Sequence, residues 1–266
     1  MTTFAAVMST ILFPSPIYGP VHSRRLGVSL GVNLMPEDGK MCTFDCIYCE
    51  CGYNKDHHTS SARPTREQVR DDLKAQLEKM VQEGMLPDVI TFAGNGEPTS
   101  HPHFPEIIDD TIMLRDKYCP KAQVSVLSNS TFIHRRKVME ALMKVDNNIL
   151  KLDTVDNDYI RVLDQPQSSQ YDVNDIIAAM KQFNGKLIIQ TIFLRGSKNG
   201  VNVDNTSDKY VEPWLKVVSE IHPESVMIYT IDRETPDKDL IKASKDVLDS
   251  IGKRVEDLGI PCSVSY

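Results

Sequence analysis

The sequence predicts an α/β fold in which parallel strands alternate with helices. Six short apolar segments rich in β-branched residues have the length and composition of buried strands, and an amphipathic helical pattern follows each one. Such strict alternation implies a parallel sheet with right-handed crossovers. The pattern alone fits both a curved, barrel-like sheet and a flat doubly wound sheet.

The predicted elements run through one domain, residues 28–266, after an irregular N-terminal lead-in, residues 1–27. The predicted strands cover residues 28–35, 88–93, 123–127, 149–153, 187–194 and 226–231. The first helix begins at Thr65, which forms a capping box with Gln68, and it ends at Gly84. The later helices are predicted at residues 104–117, 134–145, from about 172 to 185, 211–221 and 237–258.

Composition excludes several classes of protein. With 30 basic and 37 acidic residues the net charge is −7, which argues against a protein that holds nucleic acid mainly through phosphate contacts. No basic residue precedes the apolar residues 4–13, so we expect no secretory signal. No segment approaches the roughly 20 apolar residues of a membrane span. We therefore expect a cytoplasmic protein.

Four of the six cysteines lie within residues 42–51, which favours ligands over a disulfide framework. Cys42, Cys46 and Cys49 have the spacing C-x3-C-x2-C, one thiolate fewer than a four-cysteine iron–sulfur cube uses. The remaining iron would be open to a substrate or cofactor. Structural zinc is an alternative, although zinc sites usually take two separated pairs of ligands. Cys51 is an alternative fourth ligand of a cluster that only transfers electrons.

Polar segments follow the predicted strands where chemistry gathers in parallel α/β folds, at the carboxyl ends. The cysteine loop, residues 42–51, follows the first strand. The segment G-N-G-E-P-T (residues 94–99) follows the second strand, S-N-S-T (residues 128–131) the third, and Asp153 ends the fourth. We expect these segments to meet at one edge of the sheet.

The cysteine motif, with Tyr48 directly before its last cysteine, resembles the signature of the radical S-adenosylmethionine (radical SAM) superfamily. The G-N-G-E-P segment resembles the G-G-E-P motif of that superfamily, and the resemblance covers residues 19–232. It implies a partial, six-stranded parallel β/α barrel that holds one 4Fe–4S cluster and S-adenosylmethionine. It also implies that the Tyr48 ring lies against the adenine of the cofactor.

The same resemblance implies the ligands of the cluster. Cys42, Cys46 and Cys49 bind three irons, and the amino and carboxylate groups of S-adenosylmethionine chelate the fourth. Gly94 and Gly96 let the backbone approach the methionyl part, because glycine has no side chain in the way.

Further cofactor contacts follow from the resemblance. Glu97 or nearby backbone carbonyls accept hydrogen bonds from the ammonium group, and Asn95 replaces the more common glycine of the motif. Ser128 and Asn129 are placed for the ribose hydroxyls. Asp153 is placed either for the ribose or to cap the following turn.

The activity implied is reductive cleavage of S-adenosylmethionine to methionine and a 5′-deoxyadenosyl radical, which abstracts hydrogen from an unidentified substrate. Within the superfamily, the lead-in G-P-V-H-S-R-R-L-G and the segment G-N-G-E-P-T-S-H-P are similar to the wyosine-synthase-like branch, whose members modify tRNA and use a second cluster. No cysteine precedes Cys42, and the others are scattered, so we expect one cluster. The alternatives are a glycyl-radical-enzyme activase, a tRNA-modifying enzyme and a non-enzymatic iron–sulfur or zinc protein.

The partners expected are an electron donor of the flavodoxin or ferredoxin type and a small-molecule, peptide or protein substrate, with tRNA as a further alternative and no membrane. Basic residues that an acidic donor could contact are Lys40, Lys55, Arg63 and Arg66. Arg24 and Arg25 suit either a substrate carboxylate or phosphate or a salt bridge. Lys151 is expected to be structural, and Cys51 to lie beside the cluster without binding it.

Overall fold

A computed structural model describes residues 11–23, 27–57 and 59–266 of the chain. Arg24 and Arg25, whose roles were predicted above, lie outside these described residues. The beginning of the lead-in lies outside them as well.

The described residues form eleven strands and seven α-helices, together with two 3-10 turns at Asn54–Asp56 and Pro98–Ser100. The strands are β1 (Ile17–Ser23), β2 (Gly27–Val32), β3 (Val89–Phe92), β4 (Gln123–Ser128), β5 (Asn147–Lys151), β6 (Ile188–Ile192), β7 (Leu194–Lys198), β8 (Val201–Asn202), β9 (Ser225–Tyr229), β10 (Leu240–Lys242) and β11 (Cys262–Ser265). The helices are α1 (Arg66–Glu83), α2 (Phe104–Tyr118), α3 (Arg136–Leu142), α4 (Asn157–Leu163), α5 (Val173–Lys181), α6 (Asp208–Ile221) and α7 (Lys245–Glu256).

Eight strands form one sheet in the order β1–β2–β3–β4–β5–β6–β9–β11. β1 pairs antiparallel with β2, and every other neighbouring pair is parallel. The parallel strands follow one another without the reversal of order that a doubly wound sheet contains. Right-handed crossovers then place the helices on one face, as in a barrel. The predicted parallel α/β fold is confirmed, and the six predicted strands are β2 to β6 and β9.

The sheet extends beyond the six predicted strands at both edges. The lead-in is not irregular throughout, because Ile17–Ser23 forms β1 against β2. At the other edge, β11 adds a strand beside β9. A separate three-stranded sheet in the order β10–β7–β8 continues from the ends of β6 and β9.

One helix prediction needs correction, and one helix was not predicted. The last helix was expected over residues 237–258, but Leu240–Lys242 is strand β10 and the helix begins only at Lys245. Leu240 keeps helical spacing with the later apolar residues, yet backbone pairing with β7 determines its conformation. Helix α4 was not predicted, although Asp156 caps it by accepting hydrogen bonds from the Asp158 and Tyr159 amides.

Helix α1 forms as the sequence predicts. The Thr65 hydroxyl accepts the Gln68 amide at 3.2 Å, and the Gln68 side chain accepts the Thr65 amide at 2.7 Å. Gly84 ends the helix in the left-handed conformation, with φ of 69°. The buried face that packs toward the sheet consists of Val69, Leu73, Leu77 and Met80.

Among the described residues, no helix has both the length and the apolar character to cross a bilayer.

Trp214, the only tryptophan, connects helix α6 to the carboxyl end of β5. Its side chain is buried, and its indole N–H donates to the Leu152 carbonyl at 3.1 Å. Its ring meets Phe193 edge-on, with centroids 5.4 Å apart. The helix face is therefore fixed next to Asp153 by both packing and a hydrogen bond.

We expect Trp214→Ala to lower the free energy of unfolding by about 3–5 kcal/mol, because it leaves a cavity and removes the donor to Leu152. Met113→Ala, on the exposed side of α2, should stay within about 0.5 kcal/mol of the wild type. Urea unfolding followed by far-UV circular dichroism measures both. A wild-type unfolding free energy for Trp214→Ala would contradict this role.

Candidate functional site

The cysteine loop is held across the carboxyl ends of the strands by backbone pairing on both sides. On one side Met41 forms a bridge with Gly96, and its amide donates to the Asn95 carbonyl at 2.8 Å. On the other side the Ile47 amide donates to Leu163, at the end of α4, at 2.9 Å. The loop therefore has a fixed position relative to the strands on either side of the site.

Below this loop lies a cavity of about 240 Å³. Three thiols line it, those of Cys42, Cys46 and Cys49. The predicted cofactor-binding residues that share the cavity are Tyr48, Gly94, Gly96, Glu97, Ser128 and Asn129. The structure thus brings together three segments that are far apart in the sequence.

Gly94 and Gly96 are required by the geometry of the loop after β3. Both have positive φ angles, 144° and 152°, which residues with side chains rarely adopt. A Cβ on Gly96 would lie 1.9 Å from the Met41 carbonyl oxygen, and one on Gly94 would lie 2.7 Å from the Asn33 side chain. Gly96 therefore permits the close contact between this loop and the start of the cysteine loop, and Gly94 permits the contact with Asn33 after β2.

Glu97 connects the loop after β3 to the end of β4. One carboxylate oxygen accepts hydrogen bonds from the Thr99 amide and hydroxyl and from the Ser128 hydroxyl, and the other accepts the Asn129 amide at 2.6 Å. Burial raises the pKa of Glu97, and these hydrogen bonds oppose the rise. The carboxylate fixes Ser128 and Asn129 in the cavity wall.

The Asn129 side chain connects this wall to the cysteine loop. Its Nδ2 donates to the Thr43 hydroxyl at 2.8 Å and lies 3.5 Å from the Cys42 sulfur. A hydrogen-bond donor is thereby directed at one of the three thiols.

Asn95 lies behind the cavity rather than in its wall. Its side chain donates to the Phe13 and Pro36 carbonyls at 2.9 and 2.8 Å and accepts the Phe13 amide at 2.8 Å. Its contacts fix the segment before β1, whose Ile11 amide donates to Glu50 at 3.0 Å. The residue that departs from the common motif therefore supports the loop from outside.

Asp153 also lies behind the wall, within a buried cluster of charged and polar groups. Its carboxylate accepts the Ile192 amide at 2.9 Å, the Tyr48 hydroxyl and the Lys151 ammonium. It neither lines the cavity nor caps the following turn, since Asp156 caps α4. The Tyr48 hydroxyl oxygen also lies 3.0 Å from an Asp164 carboxylate oxygen.

The sequence did not predict Asp164 as a site residue, or Lys40 and Lys151 as wall residues of the cavity. Asp164 follows α4, so its place depends on a helix that was not predicted. Lys40 was expected at the surface, but it is 4% exposed, and its ammonium donates to the Gly52 carbonyl at 2.7 Å. It is therefore unavailable to an electron-donor protein.

Burial and charge act on the three cavity cysteines in opposite directions. Burial raises the pKa of Cys42 to about 11. The neighbouring Cys51 side chain lowers the pKa of Cys49. The pKa of Lys40 is raised although burial opposes this, because thiolate charge nearby favours its ammonium form. A buried cation beside buried sulfurs is the arrangement expected where thiolates are ligands.

The arrangement fits a group larger than a single metal ion. Within residues 11–23, 27–57 and 59–266, no three Cys, His, Asp or Glu side chains come close enough together to hold one ion. Three thiols along a cavity, with glycine backbone beside them, suit an iron–sulfur cluster with one iron left for another ligand.

A larger groove, about 480 Å³, lies at the surface between α6 and α7. Arg254 in this groove pairs with Asp208 and Glu212. No cysteine or histidine lines it, so the cavity under the cysteine loop is the stronger candidate for chemistry.

Comparison with known proteins identifies the family of the chain. A family model for the radical SAM superfamily matches residues 37–200, more than half of the chain. A UPF0026 protein from Helicobacter pylori is 31% identical over 245 residues, covering 88% of this chain and 72% of that protein. A protein described as GTPase Obg from Brachyspira hyodysenteriae is 28% identical over 222 residues. That match covers 82% of this chain, but the chain spans only 30% of that protein.

Among solved structures, a radical SAM methyltransferase from Sphaerobacter thermophilus superposes with a TM-score of 0.64 at 16% identity. The match covers 90% of this chain and 66% of the other, and at this identity it establishes a common fold. Members of the superfamily are enzymes that use a 4Fe–4S cluster and S-adenosylmethionine. This chain belongs to the radical SAM superfamily and to the family of the UPF0026 proteins.

Proposed function

We propose that this chain binds one 4Fe–4S cluster through Cys42, Cys46 and Cys49, and S-adenosylmethionine at the iron that these thiolates leave open. The observation that carries the proposal is that all three thiols line the same cavity as Gly94 and Gly96. When bound, the cluster supplies the electron that cleaves S-adenosylmethionine to methionine and a 5′-deoxyadenosyl radical, which abstracts hydrogen from the substrate.

The chain's own residues bind and orient the cofactor in this proposal. The backbone at Gly94 and Gly96 lies against its methionyl part, and Ser128 and Asn129 face its ribose. Glu97 holds Ser128 and Asn129 in position through hydrogen bonds that its carboxylate accepts. Because that carboxylate already has protein donors, the backbone carbonyls of the loop are the better acceptors for the cofactor's ammonium group.

Tyr48 lines the cavity, whereas Asn95 and Asp153 support its wall from behind. The Tyr48 hydroxyl is engaged by carboxylates behind the wall, so its ring is the part that remains for the adenine. Asn95 supports the glycine loop and Asp153 supports Tyr48, and neither touches the cofactor.

A single cluster is proposed because the other cysteines lie elsewhere or have other partners. Cys119 belongs to the main core, and Cys262 lies on β11 and packs against that core. Cys51 is close to the three ligands, but its thiol is hydrogen-bonded to the Gly94 carbonyl at 3.5 Å. We propose that it supports the loop.

An external protein must deliver the electron, and we propose a donor of the flavodoxin or ferredoxin class. Of the basic residues near the cysteine loop, Lys40 is buried and Arg66 is bound to Asp110 by two hydrogen bonds. Lys55 is exposed and follows the loop closely, so it is the best placed for contact with an acidic donor. The substrate is a small molecule, a peptide or a protein.

We expect Cys46→Ala to lose the cluster and with it the formation of 5′-deoxyadenosine, because two thiolates remain for a site that needs three. Cys51→Ser in the same loop should keep about four irons per chain, since serine preserves the hydrogen bond to Gly94. Iron analysis after anaerobic reconstitution, and product formation with dithionite and S-adenosylmethionine, measure both variants.

Two outcomes would contradict the ligand assignment. One is 5′-deoxyadenosine formed by Cys46→Ala above the background of the reagents. The other is loss of iron from Cys51→Ser, which would make Cys51 a ligand. Bound iron in the wild type without affinity for S-adenosylmethionine would instead support a non-enzymatic protein.

We expect Gly96→Ala to weaken S-adenosylmethionine binding at least tenfold, which is about 1.4 kcal/mol. Its Cβ would collide with the Met41 carbonyl and push the glycine loop away from the cysteine loop. Gly200→Ala is the matched control, because it also has a positive φ, 79°, but nothing lies within 4 Å of the added Cβ. Calorimetric titration of the reconstituted proteins with S-adenosylmethionine measures the affinity of each variant. A wild-type affinity in Gly96→Ala would refute the role of Gly96.

A further inference from the structure

A buried lysine from the neighbouring strand reaches one of the three cavity thiols. Lys151 is the last residue of β5, and its ammonium lies 3.8 Å from the Cys46 sulfur. Its side chain is 15% exposed, and it lines the cavity. Most lysines of a folded protein are solvent-exposed, so this position needs an explanation.

The ammonium is held in place by buried partners. It lies 3.2 Å from the Asp153 carboxylate and 3.7 Å from that of Asp164, and both carboxylate side chains are fully buried. It also contacts the Tyr48 hydroxyl. Separating the members of a buried charge group leaves each charge uncompensated, which is costly. The ammonium therefore stays beside the two carboxylates, and this position is also beside the Cys46 sulfur.

A fixed positive charge beside a ligand sulfur acts on the electron affinity of the cluster. Reduction adds one electron to the cluster, while no bond forms or breaks and no proton is transferred. The added negative charge is stabilised by a nearby cation and by hydrogen bonds to the sulfurs, both of which raise the reduction potential. In the interior this interaction is weakly screened.

We propose that Lys151 is a positioning residue for electron uptake, which raises the reduction potential of the cluster by holding its ammonium beside the Cys46 sulfur. This inference rests on the proposed cluster ligands. It assigns a function to the buried group of Tyr48, Asp153 and Asp164, which fixes the ammonium rather than contacting substrate. A one-electron donor could then reduce the cluster at a less negative potential.

Lys40 is the second buried lysine near the thiols, but its contacts are different. Its ammonium donates to the Gly52 carbonyl at 2.7 Å and pairs with Asp45 at 3.2 Å, so it braces the cysteine loop itself. Substituting Lys40 would change the shape of the loop together with the charge. Lys151 comes from a strand, so its charge can be tested with the loop contacts left in place.

The test is a redox titration of reconstituted protein without S-adenosylmethionine, followed by the electron paramagnetic resonance signal of the reduced cluster. Lys151→Met should make one-electron reduction at least tenfold less favourable, a shift of about 59 mV to more negative potential. Lys151→Arg keeps a positive charge and should remain closer to the wild type than Lys151→Met does.

Lys198→Met is the matched control. It removes one lysine charge that is also partly buried and paired, with Asp237 and Tyr53, but Lys198 is on β7 and does not line the cavity. Its potential should equal that of the wild type. An equal shift in Lys198→Met and Lys151→Met would overturn the proposal, because the effect would then follow net charge rather than position.

A second pair of variants covers the case in which Lys151→Met does not hold a cluster. Asp164→Asn with Lys151→Gln removes one charge of each sign, and it is compared with Asp164→Asn alone. The double variant should have the more negative potential of the two, because it lacks the ammonium. Equal potentials in this pair, or a wild-type potential in Lys151→Met, would refute the role of Lys151. Failure of the wild type to assemble about four irons would instead refute the proposed cluster.

Discussion

The site depends on the close contact between two loops that follow neighbouring strands, β2 and β3. Met41 pairs with Gly96 so closely that no side chain fits between the two backbones, since a Cβ would lie 1.9 Å from the carbonyl oxygen. This contact sets the position of the cysteine loop relative to the strand ends. The cavity beneath it exists because glycine, with a positive φ, occupies the point of contact.

Buried charges then connect the strand ends around the cavity. Glu97 joins the ends of β3 and β4 through its two carboxylate oxygens, and Lys151 with Asp153 joins the end of β5 to Tyr48 in the cysteine loop. These groups are costly to bury unless each is paired, so each one fixes its neighbours. The chain as a whole is acidic, yet the thiols have two lysines beside them. The charge that acts on the thiols is therefore the local positive charge of these two lysines, and not the net charge of the chain.

Much of the site could be predicted from the sequence, because its residues lie in short motifs at the ends of recognisable strands. The structure brings the three cysteines into one cavity with Gly94, Gly96 and Glu97. Asn95 and Asp153, which the resemblance places among the cofactor-binding residues, do not line that cavity. A motif gives the position of a residue along the chain, but the side-chain direction depends on neighbours such as Phe13 and Ile192, which come from other segments.

By itself, the sequence determined the order of the six central strands and of most helices, the parallel sheet and the residues of the cysteine and glycine motifs, since these follow from local periodicity and spacing. Only the tertiary structure decided that β1 and β11 extend the sheet, that residues 240–242 form a strand, and that Lys40 and Lys151 lie beside the thiols. Strand pairing and burial of charge are interactions between distant segments. Their energies depend on which segments meet, and local pattern does not contain that information.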